Sequence, residues 1–401
     1  MRITHVSFSS SGGAGNAARR LVTAQQSHGL DAVLVSITSR DVLGLWNRHP
    51  VVFLTAVFDY AAVRQRTSDS LFTVCRATAR GGPELSGDVL HLHWSPGIIE
   101  IETVARSLDL GMPVVTTLHD FWPLTGGCHF TQGCTEYARS CDSCPQARRL
   151  FHPMVKSAYQ EKSKVLLSER HHLIAPSRWI LNRALQHPSI SEDRIHHIPN
   201  MLDRKLSPER ATAATHTQGR RESSFTIGFV AARINEPRKG LKTLVRACSE
   251  LHRDGHDFVL HTVGSGSPDR SHPWWSHLGP ISDESNLAEF YSDCDLIVVP
   301  SSEDNSPTVV LEAGQSRTPV AVTENSGGGE FVEHGETGFV FGSETDLIGV
   351  LRSAIASQSE LPSMGATLQR RIADELDETR LIRRYTELYR SLLLSSGKDL
   401  T

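Results

Sequence analysis

The sequence has no excess of charge of either sign. Its 41 lysine and arginine residues face 45 aspartate and glutamate residues, so the formal net charge is −4. No basic block is longer than a few residues. A protein that holds duplex nucleic acid through its phosphates needs concentrated positive charge. We therefore expect no nucleic acid partner.

Long apolar runs are also missing from the sequence. No window approaches the roughly 18 uninterrupted apolar residues of a membrane span. The start of the chain has the pattern of a strand, without the basic start and apolar run of a leader. The most apolar stretch, residues 51–63, contains Asp59 and would at most touch a membrane surface. We expect a cytoplasmic protein with at most peripheral contact at the inner face of the membrane.

Glycine and proline are not enriched either. The 30 glycines and 19 prolines, with 39% hydrophobic and 21% charged residues, are typical of a globular chain. This composition excludes collagen-like repeats and wholesale disorder. The length of 401 residues suggests two, at most three, domains.

Short β-rich runs alternate with helical patterns, which is typical of parallel sheets with helices on both faces. The first helix carries an apolar stripe that includes Ala14, Ala18 and Leu21. In the first half of the chain, strands are predicted at 2–9, 31–37, 89–93, 113–119, 172–175 and 195–199. In the second half, strands are predicted at 225–231, 258–263, 296–299 and 320–323, and helices at 241–252, 287–293 and 308–315.

Residues 207–224 contain almost no large apolar side chains and have the composition of an exposed linker. They separate a predicted acceptor-binding domain, 1–206, from a predicted nucleotide-sugar domain, 225–376. The tail, 377–401, is expected to be a helix that crosses back to the first domain. The predicted fold is α/β, with two Rossmann-like doubly wound domains facing a cleft where ligands of this architecture bind.

A glycine-rich loop follows the first strand and contains Gly12, Gly13 and Gly15. Its bare backbone would approach an anion that the N-terminus of the next helix favours. The alternative is a tight turn that needs small residues. Both interpretations stay open at this point.

In the second half, Arg233, Arg238 and Lys239 lie between a strand and a helix. Arg233 and Lys239 would clamp a diphosphate, with Arg238 a rival for the lysine's role. A solvated loop is the alternative. Further on, Asp304 and Glu312 stand eight positions apart, where each carboxylate would hold hydroxyls of one extended ligand. The helix N-terminus near Ser306 would then face its phosphates. The alternative is an N-cap Asp and a surface Glu.

Taken together, these motifs resemble the nucleotide-sugar site of glycosyltransferase family 4, a GT-B family of retaining enzymes. The matching residues are Pro300-Ser301, Asp304 with Glu312, Pro319-Val320, Ser326-Gly327-Gly328-Gly329-Glu330 and Thr337-Gly338-Phe339. The first domain is similar in its glycine loop, His119-Asp120, Ala175-Pro176-Ser177-Arg178-Trp179 and Ile198-Pro199-Asn200. The stretch from His119 to His129 is similar to a subgroup from bacterial capsule and exopolysaccharide pathways.

The resemblance implies a role for each matched residue. Glu312 would hold the ribose, Asp304 a hydroxyl of the donor sugar, and Arg233 with Lys239 the diphosphate. His119 would face the donor sugar. The expected catalytic set is His119, Asp304, Arg233 and Lys239, and the expected donor-binding set is Gly12, Gly13, Gly15, Arg238, Asn305, Ser306, Pro307, Thr308 and Glu312. Asp304 is one methylene shorter than the family's usual glutamate, which leaves the donor sugar open.

The resemblance also implies the reaction. A sugar would pass with retention from a nucleoside diphosphate sugar to a glycan, lipid-linked or natural-product acceptor, without a catalytic metal or other cofactor. UDP is favoured as the nucleotide, with GDP or ADP as alternatives. Two other functions stay open. They are a nucleotide-sugar epimerase and a non-catalytic nucleotide-sugar binding protein.

Cys128, Cys134, Cys141 and Cys144 fall close together in the first domain. Their spacing permits a closed tetrahedral structural zinc site. Disulfides and reduced packing thiols are the alternatives. Cys75, Cys248 and Cys294 lie in apolar patterns and are expected to be core thiols.

Overall fold

A computed structural model describes residues 1–36, 72–74, 86–202, 224–268 and 272–395. The chain divides into two compact units. Met1–Met201 with Glu378–Thr401 forms unit 1, and Leu202–Asp377 forms unit 2. The predicted linker at 207–224 and the apolar stretch at 51–63 lie outside the described residues, apart from Ser224. No described helix is long and apolar enough to span a membrane.

Twelve strands are described. They are β1 (Arg2–Ser7), β2 (Asp31–Ser36), β3 (Val89–Leu92), β4 (Val114–Thr117), β5 (His171–Ala175), β6 (Ile195–His197), β7 (Phe225–Arg233), β8 (Phe258–Ser265), β9 (Trp275–Gly279), β10 (Leu296–Val299), β11 (Val320–Thr323) and β12 (Gly338–Phe341).

Ten α-helices are described. They are α1 (Gly12–Ser27), α2 (Ile101–Asp109), α3 (His152–Leu166), α4 (Arg178–Ala184), α5 (Leu241–Arg253), α6 (Glu284–Asp293), α7 (Thr308–Gln315), α8 (Glu344–Ala356), α9 (Leu361–Glu375) and α10 (Glu378–Ser395).

Unit 1 contains one sheet of six parallel strands in the order β2-β1-β3-β4-β5-β6. All six were predicted, although β4 ends at Thr117 rather than at His119. The apolar strands are buried on both faces, as expected when helices cover a parallel sheet. The predicted C-terminal helix is α10, which belongs to this unit and buries Leu381, Ile382 and Tyr385.

Unit 2 contains a second sheet of six parallel strands, in the order β12-β11-β10-β7-β8-β9. The four predicted strands are confirmed, and β9 and β12 were missed. β9 lies at one edge and has serine, histidine and glycine among its five residues, so it lacks an apolar run. β12 has four residues, begins at Gly338 and lies at the other edge. Edge strands this short carry a weak sequence signal.

Three of the described helices begin at a side-chain cap. Ser177, Asp283 and Ser343 accept hydrogen bonds from the backbone N–H groups at Ile180, Asn286 and Asp346. The Ala-Pro-Ser motif of the first domain therefore has a structural explanation, because Ser177 satisfies an N–H of α4 that no carbonyl reaches.

Candidate functional site

In unit 2, two loops meet at the carboxyl edge of the sheet. β7 and β10 are parallel neighbours, so their carboxyl ends lie side by side. The loop after β7 turns at Gly240, which has a φ of +76°, and a Cβ there would lie 2.0 Å from the Pro300 carbonyl oxygen. The Ser302 N–H donates to the Arg238 carbonyl at 2.9 Å. Only glycine permits this approach, which brings residues 237–240 against the loop after β10.

The contact between the loops produces an ion-pair cluster. Lys239 Nζ donates to Asp304 Oδ2 at 2.6 Å, and Arg238 lies 3.6 Å from the same oxygen. Arg238 also donates to the Glu303 carbonyl at 2.7 Å and to Glu236 at 2.5 Å. Burial acts to raise the pKa of Asp304, but the two cations outweigh it and hold the pKa below its ordinary value. Asp304 is therefore an anion with its charge compensated by Lys239 and Arg238.

Arg233 ends β7, two residues beyond the predicted end of the strand. The pairing with β8 shifts between Val230 and Arg233, where Arg233 lies opposite Ser265. A bulge of this kind re-aims the side chains that follow it. The Arg233 side chain is exposed at the carboxyl edge of the sheet.

Glu312 lies inside α7 and is only partly exposed. Its Oε2 accepts a 2.8 Å hydrogen bond from the hydroxyl of Tyr291, a fully buried residue of α6. Burial, followed by the charge and hydrogen bond of Glu312, raises the pKa of Tyr291. Glu312 is therefore not a fully solvated surface residue, because one carboxylate oxygen is bonded to a buried tyrosine. Sequence analysis missed Tyr291, because a lone tyrosine in a helical pattern carries no motif.

The N-terminus of α7 adjoins the same loop. The helix has Pro307 at its N-cap and no side-chain capping bond, so the alternative of Asp304 as an N-cap is wrong. Asn305 and Pro307 are buried, whereas Ser306 and Thr308 are partly exposed. The Gly327 N–H donates to the Asp304 carbonyl at 2.9 Å. The uncapped N–H groups make this end of α7 a site that favours an anion.

The glycine loop of unit 1 opens α1. Gly12 has a φ of +75°, and a Cβ at Gly15 would lie 2.4 Å from the Ser9 carbonyl oxygen. Both positions therefore need glycine for the turn itself. A Cβ at Gly13 would meet nothing within 4 Å. Ser11, the N-cap residue, makes no side-chain capping bond. The turn interpretation thus explains Gly12 and Gly15, and the anion-binding interpretation stays a prediction.

His119 follows β4, and its Nε2 lies 3.0 Å from Nδ1 of His93. Burial lowers the pKa of His119 to about 4, although Asp120 acts to raise it. His119 is therefore a neutral imidazole at neutral pH.

The neighbouring Asp120 anchors the loop that follows. It accepts bonds from the Trp122 N–H at 2.8 Å, the Trp94 indole at 3.0 Å and His129 Nδ1 at 2.6 Å. Burial acts to raise the pKa of Asp120, but the charge of His129 and these bonds hold it below its ordinary value. Asp120 is therefore a structural residue of this loop, whereas His119 is partly buried beside it.

The four clustered cysteines line one small cavity of about 10 Å³ in unit 1. All are free thiols. The Gly126 N–H donates to the sulfur of Cys141, and the N–H groups of Gln146 and Ala147 donate to Cys144. Burial raises the pKa of Cys141 to about 12. Among the described residues, His5, His91 and His93 form a group with ligand atoms within 4.8 Å of one another, and the cysteines form no such group.

The remaining cysteines behave as expected where they are described. Cys248 and Cys294 are buried thiols in unit 2. Cys75 lies outside the described residues.

Two family models match the chain. The model described as Glycosyltransferase Family 4 matches residues 11–206, and the model described as Glycosyl transferases group 1 matches residues 224–356. Together the two models match 11–206 and 224–356, which is most of the chain.

Several curated proteins are similar in sequence. A protein assigned to colanic acid biosynthesis in Escherichia coli (strain K12), glycosyl transferase WcaC, is 26% identical over 64% of this chain and 64% of its own length. The capsular polysaccharide biosynthesis glycosyltransferase CapM of Staphylococcus aureus is 23% identical over 43% of this chain and 48% of its own length. The chain thus matches about half to two thirds of the length of these relatives.

Solved structures share the fold. Sucrose-phosphate synthase from Thermosynechococcus elongatus has a TM-score of 0.64 and 16% identity, over 98% of this chain and 99% of its own. Anabaena Alr3699/HepE in complex with UDP-glucose has a TM-score of 0.62 and 16% identity, over 98% of this chain and 100% of its own. At this identity the likeness shows the fold alone.

Proposed function

Because the chain belongs to glycosyltransferase family 4, we propose that it transfers a sugar from a nucleoside diphosphate sugar to a sugar-containing acceptor, with retention at the anomeric carbon. The observation that carries the proposal is the arrangement at the carboxyl edge of unit 2. A buried tyrosine holds Glu312, an ionised Asp304 lies beside Lys239, and α7 presents uncapped N–H groups.

Each group suits one part of the donor. Glu312, oriented by Tyr291, accepts hydrogen bonds from the ribose hydroxyls. The N-terminus of α7 and the exposed Arg233 bind the diphosphate, with Lys239 as the second cation. Lys239 is already bonded to Asp304, so donor binding shares this ammonium between a carboxylate and a phosphate. Asp304 accepts from a hydroxyl of the sugar.

Charge develops on the leaving diphosphate as the glycosidic bond breaks. Cations and N–H groups that are already in place stabilise that charge without reorganising. The acceptor hydroxyl attacks on the face that the diphosphate leaves, and the departing phosphate oxygen takes its proton. No protein nucleophile is needed for this route, and no metal or other cofactor takes part in it.

The nature of the substrates is a finer proposal. UDP is the favoured nucleotide, and Anabaena Alr3699/HepE, which shares the fold, is seen bound to UDP-glucose. GDP and ADP are the alternatives. The acceptor is a glycan, a lipid-linked sugar or a natural product. A cytoplasmic location at the inner face of the membrane stays a prediction.

We also propose a structural zinc ion in the four-cysteine cavity. Burial raises the pKa values of Cys141 and Cys144, and hydrogen bonds from three backbone N–H groups offset part of that effect. A zinc ion would displace the thiol protons, and the same N–H groups would then donate to the bound sulfur atoms. The buried ammonium of Lys162 lies close enough to Cys141 to lower its pKa, and it would offset part of the negative charge of such a site. The sulfur atoms would have to draw together by side-chain rotation to complete a tetrahedron.

The test of the transferase proposal combines binding and product analysis. We expect at least one of UDP, GDP and ADP to bind in calorimetry, and the matching donor sugar to be turned over in the presence of EDTA. NMR of the product should show the anomeric configuration of the donor. Inversion or a strict magnesium requirement would overturn the mechanism. Donor converted to its epimer without an acceptor would identify an epimerase, and binding without turnover would identify a binding protein.

A further inference from the structure

A chain of hydrogen-bonded side chains leads through the interior of unit 1 to His119. His5 Nε2 lies 2.8 Å from Gln25 Oε1, and His5 Nδ1 lies 3.0 Å from His93 Nε2. His93 Nδ1 in turn lies 3.0 Å from His119 Nε2. Gln25, His5 and His93 are buried. His5 lies in the carboxyl half of β1, His93 directly follows β3, and His119 lies two residues beyond β4.

All the rings in this chain are neutral at neutral pH. Burial lowers the pKa of His5 and of His119 to about 4, and it lowers the pKa of His93 well below its ordinary value. A neutral imidazole has one N–H and one lone pair, so it donates at one nitrogen and accepts at the other. Every bond in the chain must therefore point in the same direction.

Gln25 sets that direction. Its Nε2 donates to the Tyr389 hydroxyl at 3.2 Å, which leaves Oε1 facing His5. Tyr389 lies 2.7 Å from His91 Nδ1, and His91 Nε2 lies 2.7 Å from the Thr117 hydroxyl. An amide oxygen can only accept, so His5 donates from Nε2. His93 must then donate from Nε2 to His5, and His119 from Nε2 to His93.

We propose that Gln25, His5 and His93 hold His119 in the Nε2–H tautomer and fix the orientation of its ring for contact with a sugar hydroxyl of the substrate. This inference rests on the proposed function for the identity of the sugar, and the tautomer itself is independent of it. The three residues are positioning residues. The chain does not conduct a proton away from His119, because it ends at the Gln25 amide, which is too weak a base to take one.

A buried metal ion is the competing explanation for the same cluster. The ligand atoms of His5, His91 and His93 lie within 4.8 Å of one another. However, both nitrogens of each ring already have a hydrogen-bond partner. A divalent ion would also enter among three neutral ligands at a buried site, with no counter-charge from them. The geometry therefore favours orientation of His119 over metal binding.

The direct test is the tautomer of each histidine in the full-length chain. Protein with 15N-labelled histidine is measured by long-range proton–nitrogen NMR at pH 7, and His119 is assigned by its loss in His119→Ala. We expect proton-bearing Nε2 and bare Nδ1 nitrogens on His5, His93 and His119. A proton on His119 Nδ1 would show that the chain runs in the opposite direction and would overturn the proposal. The tautomers are measured in the wild-type protein, and the variant serves only for assignment.

A second test uses Gln25→Met, with Gln26→Met as its control. Gln26 is exposed on the same helix and donates to the Ala32 carbonyl, outside the chain. Gln25→Met should lower kcat about tenfold, because the loss of one hydrogen bond corresponds to about that factor. The KM for the donor should stay within about twofold of the wild-type value. Gln26→Met should leave both unchanged. If the two variants change kcat and KM equally, Gln25 has only a structural role and the proposal is overturned.

Two further outcomes separate the possibilities. If no donor is turned over but the expected tautomers are found, the proposed function fails and the inference about His119 stands. If donors are turned over but His119 carries its proton on Nδ1, the inference fails alone. Stoichiometric binding of zinc that is lost in His91→Asn and kept in Cys144→Ser would replace the positioning role with a metal site.

Discussion

The hydroxyl of Tyr291 donates a 2.8 Å hydrogen bond to Glu312, and this bond joins α6 to α7 beside the proposed nucleotide site. Tyr291 is fully buried, whereas Glu312 is partly exposed. One oxygen of the carboxylate is therefore fixed from inside the protein.

Tyr291→Phe tests this relationship. The variant removes the hydroxyl without changing the shape of the ring, so Glu312 loses its orienting donor. We expect the affinity for the nucleoside diphosphate to fall about threefold to tenfold, the value of one hydrogen bond. Tyr159→Phe is the matched control, because Tyr159 is a buried tyrosine of unit 1 with a hydrogen bond to the Tyr137 carbonyl. It should lower stability comparably and leave affinity unchanged in calorimetry.

Arg233→Ala should weaken binding of the nucleoside diphosphate by about tenfold to a hundredfold, because a charged hydrogen bond contributes about 1.5–3 kcal/mol. The side chain is exposed, so the melting temperature should barely change. Arg246→Ala is the control, since Arg246 is an exposed arginine of unit 2 that pairs with Glu344. Equal affinities in both variants and the wild type would place the diphosphate elsewhere.

Asp304→Glu restores the side chain usual in the family. The added methylene must fit a carboxylate that now lies 2.6 Å from Lys239 Nζ. We expect the variant to alter the preference among donor sugars while its affinity for the free nucleoside diphosphate stays within about threefold, a difference below 1 kcal/mol. The ratio of kcat/KM values for two donor sugars measures the effect. An unchanged ratio would exclude Asp304 from contact with the sugar.

Elemental analysis of protein purified without metal-affinity resin tests the zinc proposal. We expect close to one zinc per chain, with loss of zinc and a lower melting temperature in Cys144→Ser. Cys248→Ala is the control, because Cys248 is a buried thiol of unit 2 and should lower stability without changing the zinc content. If the protein contains no zinc and all its thiols can be titrated, the four clustered cysteines are packing thiols. If fewer thiols are titrated than the sequence contains, disulfides are indicated.

The stability of the protein should depend on pH through its buried histidines. Burial lowers the pKa of His5, His119 and His171 from 6.5 to about 4. Between these values the unfolded chain binds more protons than the folded chain, so the free energy of unfolding falls as the pH is lowered. The free energy of unfolding is therefore highest above pH 6.5 and falls as the pH approaches 4. Each histidine whose pKa is lowered to about 4 contributes up to about 3 kcal/mol to this fall.

Urea unfolding at pH 7, 5.5 and 4.5 measures this dependence. His171→Asn keeps the donor to the Val165 carbonyl and removes one titrating ring, so it should flatten the slope. His252→Gln changes an exposed histidine and should leave the slope unchanged. Equal slopes in all three proteins would show that His171 does not contribute.

Much of the fold could be predicted because its signals are local. Short β-rich runs of four to eight residues placed ten of the twelve described strands, and the stripe at Ala14, Ala18 and Leu21 placed α1. The eight-residue spacing of Asp304 and Glu312, with a strand before it and a helix within it, was compatible with a ligand site but also with an N-cap Asp and a surface Glu. The resemblance to the family then supplied the roles that spacing alone leaves open.

The partners of these residues depend on which strands and helices are neighbours. Tyr291 lies 21 positions from Glu312, Lys239 lies 65 positions from Asp304, and His93 lies 88 positions from His5. Local periodicity carries no information on such pairs. His5, His93 and His119 each lie near the carboxyl end of a predicted strand. Because the sequence contains 20 histidines, this position alone does not distinguish them. Residue types and their local pattern therefore determined the fold class and the candidate donor site. The tertiary structure decided which carboxylate is paired, which is oriented, and which nitrogen of His119 faces His93, because the order of strands brings distant side chains together.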